Sequence, residues 1–244
     1  MKEESLRFLP CGDSALTVQF SETMSEDVNR RIRHLAAELE KGRVKGVREC
    51  VPTFCSVTVY FDPLITRHSR VERAVKKIDS LYRDEGFKVG RVFVIPVCYE
   101  GEFSPDMADL CSHCGLSREE VISIHSGRDY LIYMLGFLPG FPYLGGMDGR
   151  IAMPRLKTPR TRSPAGAVGI GGEQTGIYPM ASPGGWRLIG RTPVRLYDPE
   201  RADPILYKAG DYIRFRPVSA DEYASIEEAV KQGRWVPEIR EAAE

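Results

Sequence analysis

The sequence predicts two domains of different class: an α+β domain over residues 1–92, followed by a mainly-β domain with short helices over residues 93–244. Strand and amphipathic-helix patterns alternate through the first hundred residues. From Leu131 onward the helical period gives way to short apolar pieces separated by glycine and proline, the texture of a β-barrel or sandwich. The length of 244 residues allows either one large domain or two of about 100–150 residues, and the change of texture favours two.

Leu6 to Pro10 and Ala15 to Phe20 flank a Cys-Gly-Asp-Ser turn and read as a hairpin. Between Thr23 and Lys41, Val28, Ile32, Leu35, Ala36 and Leu39 recur on one helical face, with Thr23 and Glu26 spaced as a capping box. Gly46 to Pro52 and Ser56 to Phe61 are rich in β-branched and aromatic residues and read as strands. A second stripe of Val71, Ala74, Val75, Ile78, Leu81 and Tyr82 runs to a stop at Gly86. Together with the strand Arg91 to Val97, the order β-β-α-β-β-α-β suggests helices on one face of a mainly antiparallel sheet. The domain boundary is expected within residues 90–98, with that strand as the connection.

Beyond it, Ser104-Pro105 is expected to start a short helix that Gly115 stops, and Ser117 with Glu120 forms a capping box for a second, ending at His125 and Gly127. Asp221 to Gln232 regains a weak helical pattern through Tyr223, Ile226 and Val230. No repeat of 20 to 50 residues and no low-complexity tract interrupts this order.

Charge narrows the classes of function. The 34 basic side chains balance 34 acidic ones, so no global field draws the chain to nucleic acid or to an anionic membrane. The N-terminus lacks the apolar run of a secretory signal, and no stretch approaches the roughly 18 apolar residues of a membrane span. A cytoplasmic protein with reduced thiols at its six cysteines is expected.

Four segments between Tyr130 and Pro199 could carry chemistry. In GFLPGFPYLGG (Gly136 to Gly146), prolines fix the backbone while Phe137, Phe141 and Tyr143 supply an aromatic wall suited to a small ring; a tight barrel corner with core aromatics has the same composition. RLKTPRTR (Arg155 to Arg162) opens a basic region: residues 150–195 hold eight basic side chains and one acid, Glu173, a net of +7. Its guanidiniums could clamp a carboxylate or phosphate, or form a solvated face.

GAVGIGGEQTG (Gly166 to Gly176) lacks the Gly-Lys-Ser/Thr of a P-loop and has Gln174 where a dinucleotide fingerprint needs glycine. Its backbone N–H groups could still meet a ligand carboxylate or an oxyanion. SPGGWRLIGRT (Ser182 to Thr192) adds Trp186, Arg187 and Arg191, with Gln174, Tyr178 and Ser182 as neutral partners suited to an amide and a carboxylate on one small molecule.

Other signals are weaker. Cys111-Ser112-His113-Cys114 is half of a zinc pattern without a second half, and no metal is expected. His125 could act as a general base, or as a protonated cap at the end of its helix. The serine-elbow pattern Gly-x-Ser-x-Gly is absent. Residues 218–244 carry seven acids and three bases, a net of −4, which could dock on the basic region or solubilise the terminus.

YMLGFLPGFPYLGG (Tyr133 to Gly146), TPRTRSPAGAVGIGGEQTGIYPMASPGGWRLIGRTP (Thr158 to Pro193) and LYDP (Leu196 to Pro199) resemble one family, as do CGDSALTVQF and PVCYEGEFSPDMADL nearer the start. It is the group described as the B subunit of 5-oxoprolinase, KipI-type sporulation-kinase inhibitor or allophanate hydrolase subunit 1. The resemblance implies an α+β N-terminal domain followed by a mainly-β, cyclophilin-like barrel domain. It implies subunits A and C as partners, ATP as a co-substrate of the complex, and hydrolysis of the cyclic amide 5-oxoproline to glutamate.

The pocket residues expected on this reading are Arg160, Arg162, Gln174, Tyr178, Ser182, Trp186 and Arg191, walled by Phe137, Phe141 and Tyr143. No catalytic residue is assigned. The resemblance leaves two other readings open, a regulator that inhibits a sensor histidine kinase and an activity on urea or allophanate.

Overall fold

Alternation along the first strands builds a hairpin, in which β1 (Arg7–Cys11) and β2 (Ala15–Gln19) pair antiparallel. The computed structural model describes residues 6–83 and 90–241, which fall into two units, residues 1–88 and 89–244. After the hairpin come α1 (Glu26–Glu38), β3 (Val47–Pro52), β4 (Ser56–Phe61) and α2 (His68–Ser80), and the strands form one antiparallel sheet in the order β1-β2-β4-β3.

Leu16, Val18, Val57, Val59 and Phe61 of the sheet bury against Ile32, Leu35 and Leu39 from the α1 segment and Val71, Val75 and Ile78 of α2. At about 1.5–3 kcal/mol for each side chain fully removed from water, this layer holds the unit together.

Two details differ from the sequence reading. The Thr23–Glu26 capping box does not form: Ser25 caps α1 by accepting from the Val28 N–H, and the Thr23 N–H donates to the Ser21 hydroxyl. Ser25 immediately precedes Glu26 and Asp27, whose charges favour a helix N-terminus at that point. The second stripe is shorter than its pattern, because α2 ends at Ser80 and leaves Leu81 exposed. Its expected stop, Gly86, lies outside the described residues.

The second unit runs β5 (Arg91–Cys98), α3 (Met107–Cys114), α4 (Arg118–Ser126), β6 (Asp129–Leu135), β7 (Pro142–Leu144), β8 (Arg160–Ser163), β9 (Ala167–Gly171), β10 (Gln174–Ile177), β11 (Ser182–Gly184), β12 (Arg187–Arg191), β13 (Tyr212–Val218), α5 (Ala220–Lys231) and β14 (Glu238–Glu241). Its main sheet has the order β10-β9-β12-β5-β13-β6-β7, with β14 also paired to β5. The two ends of this order return to one another: a Cβ on Gly176 of β10 would lie 3.0 Å from the Pro142 carbonyl oxygen of β7. The sheet is a nearly closed barrel.

β5 is buried along seven of its eight residues, which explains its unbroken apolar run. Phe93, Ile95 and Val97 point into the barrel with Ile132, Val168, Ile170, Ile177, Ile189 and Phe215, whereas Cys98 packs with Val218 and Tyr223, the latter from α5. β5 runs parallel to β13 from Val92 through Cys98, so the whole strand is integral to this unit's sheet. The acidic end packs on β5: α5 covers Cys98, the strand partner of Arg191 in the basic region, and β14 pairs with Arg91–Val94.

Helix α4 starts with the expected Ser117–Glu120 box, and Gly115 closes α3 in the left-handed conformation. α3 itself begins after Asp106 rather than at Ser104-Pro105. Cys111 and Cys114 are half-buried against the barrel core, where burial raises both thiols above their ordinary pKa.

His125 is neither a solvent-facing cap nor a poised base, because it is wholly buried inside the barrel. Its Nδ1 lies 2.8 Å from the Tyr99 hydroxyl and its Nε2 2.8 Å from the Thr175 hydroxyl, while its ring stacks on Phe215 at 4.4 Å. Thr175 donates its own proton to the Gly169 carbonyl, so Nε2 must donate to Thr175 and Nδ1 must accept from Tyr99. The imidazole is thereby held neutral as a single tautomer.

Burial without a charged partner pushes the His125 pKa from 6.5 down to about 3. Between these values the unfolded chain binds a proton that the folded chain refuses. The stability contributed by neutral His125 is therefore complete above pH 6.5 and falls by about 1.4 kcal/mol per pH unit as pH drops towards 3. His125→Gln is expected to reduce the slope of stability against pH by that amount, read from urea unfolding between about pH 4 and 6.

Candidate functional site

β9 and β10 alternate faces in a way that builds the site. Val168 and Ile170 of β9 and Ile177 of β10 enter the barrel core, which turns Ala167, Gly169, Gly171, Gln174 and Gly176 to the other face. There the Trp186 indole lies directly on the sheet: a Cβ on Gly171 would be 2.6 Å from its Cδ1 and Nε1. The glycine density of Gly166 to Gly176 thus provides a flat bed for an aromatic ring, which is a packing reason distinct from the anion-binding reading of the sequence.

Phe141 stands at the centre of an aromatic cluster, with ring centroids 5.6 Å from Phe137, 5.2 Å from Tyr143, 5.5 Å from Tyr178 and 5.6 Å from Trp186. All but the tilted Tyr143 pair are edge-to-face, at interplanar angles between 80° and 87°, a geometry worth about 0.5–1.5 kcal/mol per pair beyond burial. Arg155 places its guanidinium 5.8 Å from the Trp186 ring centroid.

These residues line a concavity of about 270 Å³ together with Pro159 and Pro183–Gly185. Its titratable lining groups among the described residues are Tyr143, Arg155 and Tyr178. Burial raises the Tyr178 phenol above its ordinary pKa, against the opposing pull of the Trp186 backbone, the Ser163 hydroxyl and the Arg155 and Arg160 guanidiniums. The chemistry of the lining is that of recognition, with an apolar ring slot, a phenolic hydroxyl and a cation at one side.

The loop before β7 presents Phe137 at the rim. The Leu138 N–H donates to the Gly136 carbonyl at 2.6 Å, closing a three-residue turn around Phe137, whose φ is +61°. A bulky L-residue in that region is strained, yet the side chain remains 62% exposed. Tyr207, fully buried, donates its hydroxyl to the Gly140 carbonyl and anchors the far side of the loop. The strain is held by surrounding structure without burying the ring, a combination that marks a binding edge more than a core.

The family model for the carboxyltransferase domain, subdomain C and D, matches residues 6–207. The chain is 44% identical over 227 residues to the B subunit of 5-oxoprolinase from Bacillus subtilis (strain 168), covering 89% of this chain and 95% of that one. The chain belongs to the family of 5-oxoprolinase B subunits. It is also 39% identical to the Escherichia coli O157:H7 protein of the same name, over 84% of this chain and 93% of that one. Among solved structures it superposes on TTHA0988 with a TM-score of 0.75 at 38% identity, covering 85% of this chain and 40% of that one.

Among the residues expected to form the site of this member of the 5-oxoprolinase B family, the concavity brings together Phe137, Phe141, Tyr143, Tyr178 and Trp186. Arg160, Arg162, Gln174, Ser182 and Arg191 lie outside its lining. Arg160 pairs with Asp106 at 2.6 Å and donates to the Trp186 carbonyl, so it positions the indole from behind. Arg162 is exposed on β8, and Gln174 is half-buried beside Gly171. Ser182 is buried and donates to the Pro183 carbonyl, and Arg191 donates to the Ala165 carbonyl.

The basic region is also less charged in space than in sequence. Arg160 and Arg187 pair with Asp106 and Asp109 at the start of α3, and Arg150 and Arg195 pair with Asp148 and Asp198. Four of its eight cations therefore have carboxylate partners that lie outside residues 150–195. Arg155 was visible in the RLKTPRTR cluster, although nothing in the spacing singled it out from its neighbours; its position over Trp186 does.

Proposed function

We propose that this chain is the B subunit of an ATP-dependent 5-oxoprolinase and acts in the cytoplasm with subunits A and C to hydrolyse 5-oxo-L-proline to L-glutamate. The observation that carries this reading is the 44% identity along 95% of a relative named as the B subunit of 5-oxoprolinase. The aromatic concavity supports it, since about 270 Å³ accommodates a five-membered lactam and leaves room for water.

In this reading Phe141 and Trp186 contact the apolar ring carbons, and Arg155 meets the substrate carboxylate. ATP is a co-substrate: transfer of its γ-phosphoryl group to the amide oxygen makes the ring carbonyl carbon susceptible to water. One water adds to that carbon and the ring C–N bond breaks as the nitrogen takes up a proton, which leaves γ-glutamyl phosphate; a second water releases the phosphate, so glutamate, phosphate and ADP leave. Among the described residues the lining offers no carboxylate or imidazole as acid or base, so the other subunits supply that chemistry and the isolated chain is inactive.

Reconstitution with subunits A and C tests this directly, by measuring glutamate formed per ATP consumed. Turnover that depends on all three chains is the expected result; no turnover with this chain, in a mixture that an authentic B subunit activates, overturns it.

Phe137→Gly provides a sharper test of the rim. Glycine relieves the left-handed strain of about 1–2 kcal/mol, but adds unfolded-state entropy worth about 0.5–1 kcal/mol and gives up the edge contact with Phe141, worth about 0.5–1.5 kcal/mol, so the contributions nearly cancel and stability changes little. The lost aromatic contact is expected to raise KM for 5-oxoproline about fivefold. Steady-state kinetics and thermal melting of the same variant read the two effects separately.

A further inference from the structure

The segment between β12 and β13 folds back on itself as a loop. Tyr197 and Ile205 bridge its two arms, the Asp198 N–H donates to the Pro204 carbonyl, and the Leu206 N–H donates to the Leu196 carbonyl. Arg201 stands in the turn between the arms. Its Nη2 lies 3.1 Å from the Arg195 carbonyl oxygen, 3.2 Å from that of Leu196 and 3.1 Å from that of Pro204. One guanidinium thus ties both arms together through backbone acceptors. Arg195, in the same loop, is exposed and approaches Asp198 only to 3.9 Å.

The braced loop abuts the aromatic one. A Cβ on Gly140 would lie 3.3 Å from the Tyr197 Cβ and 3.5 Å from the Leu196 carbonyl oxygen, which is one of the acceptors of Arg201. The Gly140 carbonyl in turn accepts from Tyr207, at the end of the second arm. Gly140 therefore rests against both ends of the loop that Arg201 closes. On its other side it belongs to the turn that carries Phe137, where the Leu138 N–H donates to the Gly136 carbonyl and the Phe141 N–H to the Leu138 carbonyl. Phe137 is too exposed for its own burial to hold its left-handed backbone. The support comes from behind, through Gly140.

We propose that Arg201 is a positioning residue for the aromatic concavity: by fixing the loop behind Gly140 it holds Phe137 at the rim. Arg201 is not part of the lining, so its influence on a bound molecule runs through the backbone. The proposal deepens the 5-oxoprolinase reading, and its effect on turnover rests on that reading.

Two measurements on Arg201→Met keep the ideas apart. Amide hydrogen exchange of the chain by itself, read residue by residue, is expected to quicken about tenfold at Leu138 and Phe141 and to keep the parent rate in β5 and β13. In the complex with subunits A and C, KM for 5-oxoproline is expected to rise severalfold with kcat nearly unchanged, since the aromatic wall holds ground state and transition state alike. Arg201→Lys, which keeps a cationic donor, recovers part of both effects. Arg195→Gln, which removes the exposed cation of the same loop, changes neither. Unaltered exchange at Leu138 and Phe141, or acceleration equally large in β5 and β13, overturns the proposal, as does an unaltered KM in a complex that turns over. A parent complex without turnover overturns the 5-oxoprolinase reading instead, and the exchange rates then decide the role of Arg201.

Discussion

Trp186→Ala is expected to destabilise the second unit by about 3–5 kcal/mol and to abolish activity of the reconstituted complex. The indole is 5% exposed and touches Phe141, Tyr178 and Arg155 as well as the glycine faces of β9 and β10. Glycines cannot close the space left behind, because they have no side chain to move into it. The loss is therefore a cavity as well as a contact, and Phe141 loses one of the rings that fix its orientation. Trp186→Phe, which restores part of the ring, is expected to recover stability more than activity. Chemical unfolding of the chain and turnover of the complex measure these separately; a Trp186→Ala chain as stable as the parent would show that the indole is not packed as described.

Arg160→Met is expected to cost about 3 kcal/mol, at the lower end for breaking a buried ion pair. Asp106 is 5% exposed; it accepts from Arg160 Nη2 at 2.6 Å and from the Leu188 N–H at 2.6 Å. Methionine fills the volume but leaves that carboxylate with only the backbone donor. Removing the charge as well restores balance: Arg160→Met combined with Asp106→Asn should recover most of the loss, since asparagine can still accept from Leu188. A double variant no more stable than Arg160→Met alone would show that the pair contributes through packing rather than charge. Because Arg160 also donates to the Trp186 carbonyl, the single variant is expected to raise KM as well.

Much of the fold was legible locally. The hairpin at Cys11 to Ala15, the capping box at Ser117 and Glu120 and the turn at Gly115 follow from nearest-neighbour backbone chemistry, which acts within a few residues. Capping at Ser25 rather than Thr23 shows how closely spaced hydroxyls compete, with the adjacent acids Glu26 and Asp27 favouring Ser25. The aromatic run containing Phe137, Phe141 and Tyr143 was visible in the sequence, but its composition suits a barrel corner as well as a wall, and only the structure places the three rings on one concavity.

Sequence alone thus determined the two-part class of this protein, its element order, its family resemblance and the aromatic character of its central segment, because periodicity, caps and turn residues are short-range properties. Tertiary structure alone decided which arginines meet acids, that His125 is neutral, that the glycines after Gly166 receive Trp186, and that Arg155 rather than Arg162 faces the aromatic slot. Each of these depends on residues far apart in the chain, such as Arg160 and Asp106 or His125 and Thr175. Charge compensation and desolvation follow distance in space, and only the closed sheet brings those partners within a few ångströms.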